Sequence, residues 1–203
     1  MKTALPPDFK ASVETVAIGA SAGGIDALFT LLGGLRAPFR GSVVTVLHLP
    51  EDHESRLVEV FAARLAIPVQ EAQPGAPIAS GTVYFAPPGY HLLVEADRTF
   101  ALSCDPPVLF SRPSIDVLME SCADVYGSEL AGMVLTGANE DGAAGLAAVH
   151  RAGGTTVVQQ PRSAHAPLMV ESALKRSPVD MVLTLEEIAG LLRTLTADSR
   201  NGS

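Results

Sequence analysis

Short apolar, β-branched runs alternate along the chain with stretches in which apolar residues recur every three or four positions. The first pattern predicts buried strands and the second predicts helices with one apolar face. The runs predict strands at 13–18, 42–47, 69–71, 82–85, 92–95, 99–103, 131–135, 155–158 and 181–183. The helical spacing predicts helices at 26–35, 54–65, 115–125, 142–152, 168–174 and 185–195.

Strands that are apolar throughout and alternate with helices predict an α/β fold: a mostly parallel sheet with helices on both faces. Asp97-Arg98 lies between two short strands and predicts a small antiparallel hairpin. Ser114 is a predicted helix N-cap, and Gly153-Gly154 a predicted helix stop. We expect one folded domain at 13–196, a disordered segment at 1–12 and a flexible tail at 197–203.

Composition narrows the class of protein. The chain has 203 residues, 47% of them hydrophobic, which is enough for one sizeable core. Its formal net charge of −8 argues against a nucleic-acid surface. The sequence has no apolar run long enough for a membrane span and no signal-peptide core at 1–12, so we expect no direct membrane insertion. Cys104 and Cys122 lack CxxC spacing, which favours a reducing, cytoplasmic setting.

A glycine-rich junction at 19–24 connects the first predicted strand to the first long helix and contains Ser21. A serine before a helix is most often only an N-cap. The same position suits a phosphate site, or a nucleophile whose oxyanion is stabilised by helix-start N–H groups. Other residues of the chain must decide among these three interpretations.

Two further polar residues follow predicted strands, and ligands of such folds bind beyond the carboxyl ends of strands. His48 follows the second strand, so it is expected beside Ser21, where it can act as its base. The other histidines (His53, His91, His150 and His165) are interpreted as turn histidines. Asp141 and Glu140 follow the strand at 131–135, and either can supply the carboxylate that orients His48.

Two familiar motifs compete with this interpretation. Gly19-Ala20-Ser21-Ala22-Gly23 matches the G-x-S-x-G nucleophile elbow, but α/β-hydrolases place the acid before the histidine. A dinucleotide fingerprint needs glycine where Ser21 stands and an acidic residue closing the second strand, where His48 stands. Both are therefore disfavoured.

The chain resembles the catalytic domain of the chemotaxis protein-glutamate methylesterases, the CheB family, from about Val13 to Leu192. The resemblance implies a three-layer doubly wound fold and a serine hydrolase that demethylates glutamyl methyl esters on chemoreceptor helices, with receptor glutamines deamidated by some members. The segments that carry it are 18–24, 47–50, 61–65, 86–92, 112–118, 135–137 and 141–145.

The resemblance also assigns roles: Ser21 as nucleophile, His48 as general base, and Asp141, rather than Glu140, as the orienting acid. Helix-start N–H groups at Ala22 or Gly23, together with Ala138, are the expected oxyanion donors. The implied chemistry needs no metal or organic cofactor. The implied partners are methylated chemoreceptor helices.

Departures from the family pattern fall at Ala22, Leu47, 138–139 and 168–170, where each change is expected to line the active site. Family members carry a receiver domain that 1–12 cannot encode, so we expect a stand-alone enzyme or control by a separate receiver or sensory protein. The alternative is a catalytically silent interaction module whose changed 138–139 loop closes the oxyanion site.

Overall fold

The structure, a computed structural model, describes residues 9–49 and 56–196, and the strands within this part form two sheets. The strands are β1 (Thr15–Ala20), β2 (Ser42–Leu47), β3 (Val69–Glu71), β4 (Val83–Phe85), β5 (His91–Val94), β6 (Phe100–Ser103), β7 (Leu130–Val134), β8 (Thr155–Gln159) and β9 (Met181–Leu183). Seven of them form a parallel sheet in the order β3-β4-β2-β1-β7-β8-β9, and β5 pairs with β6 as an antiparallel hairpin.

Helices cover both faces of the sheet and enclose two apolar cores. The helices are α1 (Phe9–Ser12), α2 (Gly24–Leu32), α3 (Leu57–Ala62), α4 (Ile115–Tyr126), α5 (Ala143–Arg151), α6 (Leu168–Arg176) and α7 (Leu185–Arg193). The first core joins the sheet to α2, α3 and α7, and the second joins it to α4, α5, α6 and the hairpin. The three-layer α/β prediction is confirmed, because strands buried on both sides require a helical layer on each face.

The strand order reverses at β1. The chain adds β2, β4 and β3 on one side of β1, and β7, β8 and β9 on the other. Loops that leave the carboxyl ends of β1 and β7 therefore diverge, and the crevice between them is where ligands bind in open α/β sheets. Ser21 directly follows β1 at this crevice.

Gly19 in β1 allows α4 to lie unusually close to the sheet. A Cβ atom on Gly19 would stand 2.2 Å from Cγ2 of Ile115, the first residue of α4. Because no side chain fits there, the amino terminus of α4 sits directly against the strand that delivers Ser21. This packing brings the N–H groups of the first turn of α4 to the crevice.

Some predictions are wrong in detail. Of the segment expected to be disordered, Phe9–Ser12 is a short helix, because Phe9 is buried in the first core; residues 1–8, 50–55 and 197–203 lie outside the described part. His91 is a buried residue of β5 and His150 lies in α5, so neither is a turn histidine; His53 is among the undescribed residues. Among the described residues, no helix is both long and apolar enough to cross a bilayer.

Candidate active site

Ser21 and His48 stand next to each other because the strands before them are paired. Ala20 of β1 is in register with Leu47 of β2, and the His48 backbone N–H donates to the Ala20 carbonyl over 3.0 Å. On the other side, the Ser21 N–H donates to the Thr136 carbonyl over 2.9 Å. The serine therefore lies between the histidine and the loop that follows β7.

The loop after β7 places a carboxylate against His48. His48 Nε2 and Asp141 Oδ2 are 2.9 Å apart, and the Asp141 side chain is fully buried. Glu140, the other carboxylate allowed by the sequence pattern, is exposed. The structure thus brings His48 together with Asp141, the residue that the family resemblance favours.

Asp141 is held as a carboxylate by the amino terminus of α4. Its Oδ1 accepts from Ser114 Oγ at 2.8 Å and from the Asp116 N–H at 3.0 Å, and its Oδ2 accepts from the Ile115 N–H at 2.6 Å. Burial favours the neutral acid, but the hydrogen bonds from His48, Asp116 and Ile115 together outweigh it and lower the pKa of Asp141. The group that orients His48 is therefore ionised at neutral pH.

His48 has one ring nitrogen left for chemistry. Since Nε2 donates to the ionised Asp141, Nδ1 carries the lone pair and can accept a proton. Asn139 Nδ2 lies 3.4 Å and Ser111 Oγ 3.5 Å from Nδ1. Ser21 Oγ forms no hydrogen bond to His48 or to any other group within the described ranges. Such nucleophile–base bonds are often long before substrate binds.

Some backbone N–H groups around Ser21 already donate to carbonyls, and others have no acceptor within the described residues. The N–H groups of Ser21 and Gly137 donate to the carbonyls of Thr136 and Ala166. Within the part of the chain that the structure describes, the N–H groups of Ala22, Gly23 and Ala138 have no acceptor. These are the three residues predicted as oxyanion donors, and their unused N–H groups can stabilise a developing oxyanion.

Gly23 shapes the turn that presents these donors. It is the N-cap of α2 with φ of 78°, a left-handed conformation that disfavours side chains. His165 packs over it, so a Cβ atom on Gly23 would lie 2.6 Å from the His165 Cβ. The turn conformation and the available N–H groups thus depend on glycine at this position.

Asp116 holds the loop that carries Asp141 in place, and no pattern in the sequence predicted this role. Its Oδ1 accepts from the N–H groups of Gly142 at 2.9 Å and Gly145 at 2.6 Å, which ties α4 to the start of α5. Burial is the main cause that raises the pKa of Asp116 to about 6, and nearby Asp141 adds to it. His91 also supports this region: its Nδ1 accepts from the Ser114 N–H at 3.1 Å.

Sequence comparison decides the family. A profile described as CheB methylesterase matches residues 16–192, most of the chain. The chain belongs to the CheB methylesterase family. A protein of Leptospira interrogans serovar copenhageni is 46% identical over 178 residues, which are 88% of this chain and 92% of that protein. It is provisionally named protein-glutamate methylesterase/protein-glutamine glutaminase.

More distant CheB relatives support the same family assignment. The Hahella chejuensis protein-glutamate methylesterase/protein-glutamine glutaminase 1 is 39% identical over 198 residues, which are 95% of this chain and 54% of that protein. The crystal structure of the Thermotoga maritima CheB methylesterase catalytic domain superposes with a TM-score of 0.86 at 28% identity. That match covers 92% of this chain and all of the Thermotoga chain. The family resemblance predicted from sequence is confirmed.

The positions that depart from the CheB pattern do not all line the site. Leu47 is buried in the first core against Gly24, and Met169 and Val170 are buried in the second core, so the expectation for these three is wrong. Strand and helix periodicity buries these side chains, and Met169 packs beneath Gly137 of the loop after β7. Asn139 does line the site, beside His48 Nδ1.

Proposed function

We propose that this CheB-family chain is a serine hydrolase that demethylates glutamyl methyl esters of proteins, with Ser21 as nucleophile, His48 as general base and Asp141 as the orienting acid. The observation that carries the proposal is the 2.9 Å hydrogen bond between His48 Nε2 and the buried Asp141, at the strand end adjacent to Ser21. A serine hydroxyl needs such an oriented base to be nucleophilic at neutral pH.

In the proposed reaction, Ser21 Oγ attacks the γ-carbonyl carbon of the ester while His48 Nδ1 takes the hydroxyl proton. The carbonyl oxygen becomes an oxyanion, which the N–H groups of Ala22, Gly23 and Ala138 stabilise. His48 then returns the proton to the departing methoxide, so methanol leaves an acyl-enzyme. Water, deprotonated by His48, attacks the acyl-enzyme and releases the glutamate carboxylate and free Ser21. Asp141 stays ionised and stabilises the imidazolium at both stages.

The proposed substrate is a methylated chemoreceptor helix. The names of the Leptospira and Hahella relatives pair methylesterase with glutaminase activity. The same acyl-enzyme forms from a glutamine side chain, with ammonia as the leaving group. We therefore include deamidation of receptor glutamines in the proposal.

A fluorophosphonate probe tests the nucleophile directly. We expect the full chain to be labelled, and labelling to be lost in Ser21→Ala and in His48→Ala. Methanol release from a methylated chemoreceptor is expected to fall by several orders of magnitude in Ser21→Ala. Ser80→Ala, at an exposed serine outside the site, is the matched control and should behave as wild type.

The same experiment distinguishes the alternative of a silent interaction module. An intact chain that is not labelled and releases no methanol would support the module. Labelling that persists in Ser21→Ala would contradict the assignment of Ser21.

A further inference from the structure

A tight turn beside His48 has an unfavourable sequence for its backbone. Val108 and Ser111 exchange two backbone hydrogen bonds, of 3.1 and 2.9 Å, around Leu109 and Phe110. The φ angles of Leu109 and Phe110 are 49° and 63°. Two successive positive φ values are typical of type I′ turns, in which Asn and Gly are strongly preferred. Large side chains are disfavoured in this conformation.

The turn also exposes its two apolar side chains. Phe110 is 101% exposed and Leu109 45% exposed, so neither contributes to the core. The left-handed backbone disfavours Leu and Phe, and side chains this exposed gain little burial energy to offset that cost, whereas Asn-Gly suits the turn. Stability of the turn therefore does not explain Leu-Phe at these positions, and a contact with another molecule does.

The exposed turn borders the catalytic histidine. Phe110 lines one cleft with His48, Leu49, Ser111, Arg112 and Pro113. Leu49, which directly follows His48, is 36% exposed and gives the cleft a second apolar side chain. Arg112 gives it a cation with no carboxylate partner among the described residues; its Nη1 donates only to the carbonyls of Cys104 and Asp105. A partner that is both apolar and acidic complements this cleft.

We propose that Leu49 and the Leu109–Phe110 turn dock the amphipathic helix that carries the scissile ester, a proposal that rests on the function proposed above. A glutamyl side chain is short, so the segment that bears it must lie against the rim of the cleft when its ester reaches Ser21. On a helix, residues three or four positions away lie on the same face, about 5–6 Å between Cβ atoms. An apolar residue at that spacing meets Phe110 and Leu49, and an acidic residue meets Arg112.

The turn can be changed without removing it. Leu109→Asn combined with Phe110→Gly keeps the type I′ conformation and deletes both apolar side chains. The substrates are a helical peptide with one γ-methyl-esterified glutamate and a leucine four residues away, the same peptide with serine for that leucine, and N-acetylglutamate γ-methyl ester amide as the small ester. We expect the ratio of kcat/KM for the leucine peptide to that for the small ester to fall about tenfold in the double variant.

Two comparisons make the test specific to docking. In wild type, replacing the peptide leucine with serine should lower kcat/KM by a similar factor, and in the double variant it should have little effect. Val60→Ser removes a comparably exposed apolar side chain, on α3, and should leave the ratio unchanged. Thermal stability of the double variant should equal or exceed that of wild type.

Other outcomes overturn the proposal in distinguishable ways. A wild-type ratio in the double variant, or an equal loss on peptide and small ester, overturns docking and leaves the proposed hydrolase intact. A wild-type chain that cleaves the small ester but none of the helical esters overturns both the docking surface and the protein substrate. A chain inert toward every ester overturns the hydrolase itself.

Discussion

The two halves of the proposed active site differ in how completely their polar groups are hydrogen-bonded. On the acid–base side, Asp141 accepts bonds from Ser114, Ile115, Asp116 and His48. On the nucleophile side, the Ser21 hydroxyl and the neighbouring N–H groups of Ala22, Gly23 and Ala138 have no partner within the described residues. The first half is organised before substrate binds, and the second leaves its donors available for substrate.

This difference has a physical reason. A buried carboxylate is stable only when donors surround it, so Asp141 must be satisfied within the fold. Gly23 and Ala138 are exposed and Ala22 is half-buried, so water can satisfy their N–H groups at little cost. An ester oxygen can then replace that water and take stronger bonds as its charge develops.

Asp141→Asn should have the largest effect, because Asp141 accepts all the hydrogen bonds that organise the acid–base side. An amide cannot hold the Nε2–H tautomer as a carboxylate does, so His48 no longer presents a basic Nδ1 to Ser21. We expect kcat for methyl-ester hydrolysis to fall by roughly 10³–10⁴. Methanol release measures the loss, and circular dichroism checks the fold. A variant that keeps a tenth of the wild-type kcat would contradict the role of Asp141.

Gly23→Ala tests the nucleophile side, where the backbone donors have no partner within the described residues. A side chain is strained at φ of 78° and meets His165, so the turn must move and displace the oxyanion donors. We expect kcat to fall by about 10–100-fold and the free energy of unfolding by about 1–2 kcal/mol.

Gly75→Ala is the matched control for Gly23→Ala, because Gly75 has φ of 76° with no atom within 4 Å of an added Cβ. It carries the backbone strain without the clash, so it should lose somewhat less stability and keep its activity. Equal activity losses in the two variants would mean that the Gly23 turn has no special catalytic role.

Ser114→Ala removes one of the hydrogen bonds that hold Asp141 on the acid–base side. It removes the donor to Asp141 Oδ1 and the N-cap acceptor of the Val117 N–H. We expect about 1 kcal/mol of lost stability and a few-fold lower kcat. Thr184→Ala removes the N-cap of α7 instead and should lose only stability. If both variants are fully active, the Ser114–Asp141 bond has no catalytic effect.

Asp116→Asn should have the smallest effect, and its sign depends on pH. The pKa of Asp116 rises from 3.8 to about 6 on folding, so its contribution to stability is greatest below pH 4 and is lost as pH rises through 6. Asparagine keeps the Oδ1 acceptor for Gly142 and Gly145 without the charge. We therefore expect Tm to exceed that of wild type by about 2–4 °C at pH 8 and to match it at pH 4.

Asp26→Asn removes an exposed carboxylate instead and controls for net charge. Thermal scans at both pH values check the sign. A lower Tm than wild type at pH 8 would show that the Asp116 charge stabilises the fold.

Much of the fold follows from the sequence because buried strands have a strong local signature. β2, β3 and β9 have the predicted bounds; β2 and β9 are short apolar runs between polar residues or turns, whereas β3 is the half-buried Val-Gln-Glu. The same pattern places His48 directly after the second predicted strand and Ser21 in the glycine-rich junction after the first.

Other features depend on contacts that no local pattern encodes. Glu140 and Asp141 are equivalent in spacing, and only the family resemblance favoured Asp141; the physical reason is the position of α4 against Gly19, whose first-turn donors hold Asp141 buried while Glu140 stays exposed. The Leu109–Phe110 turn was missed because its residues oppose the turn preference of the backbone that they adopt.

The orientation of the His48 ring ties proton transfer to the main chain. Nδ1 is the ring nitrogen nearer to the backbone, whereas the distal Nε2 is occupied by Asp141. The distance from Nδ1 to Ser21 is therefore set mainly by where β2 ends relative to β1. The length of the His48 side chain has little influence on it. A one-residue slip between these strands would separate His48 from Ser21 even though both residues are present. In ¹⁵N spectra, Nε2 should accordingly give the pyrrole-type signal and Nδ1 the pyridine-type signal.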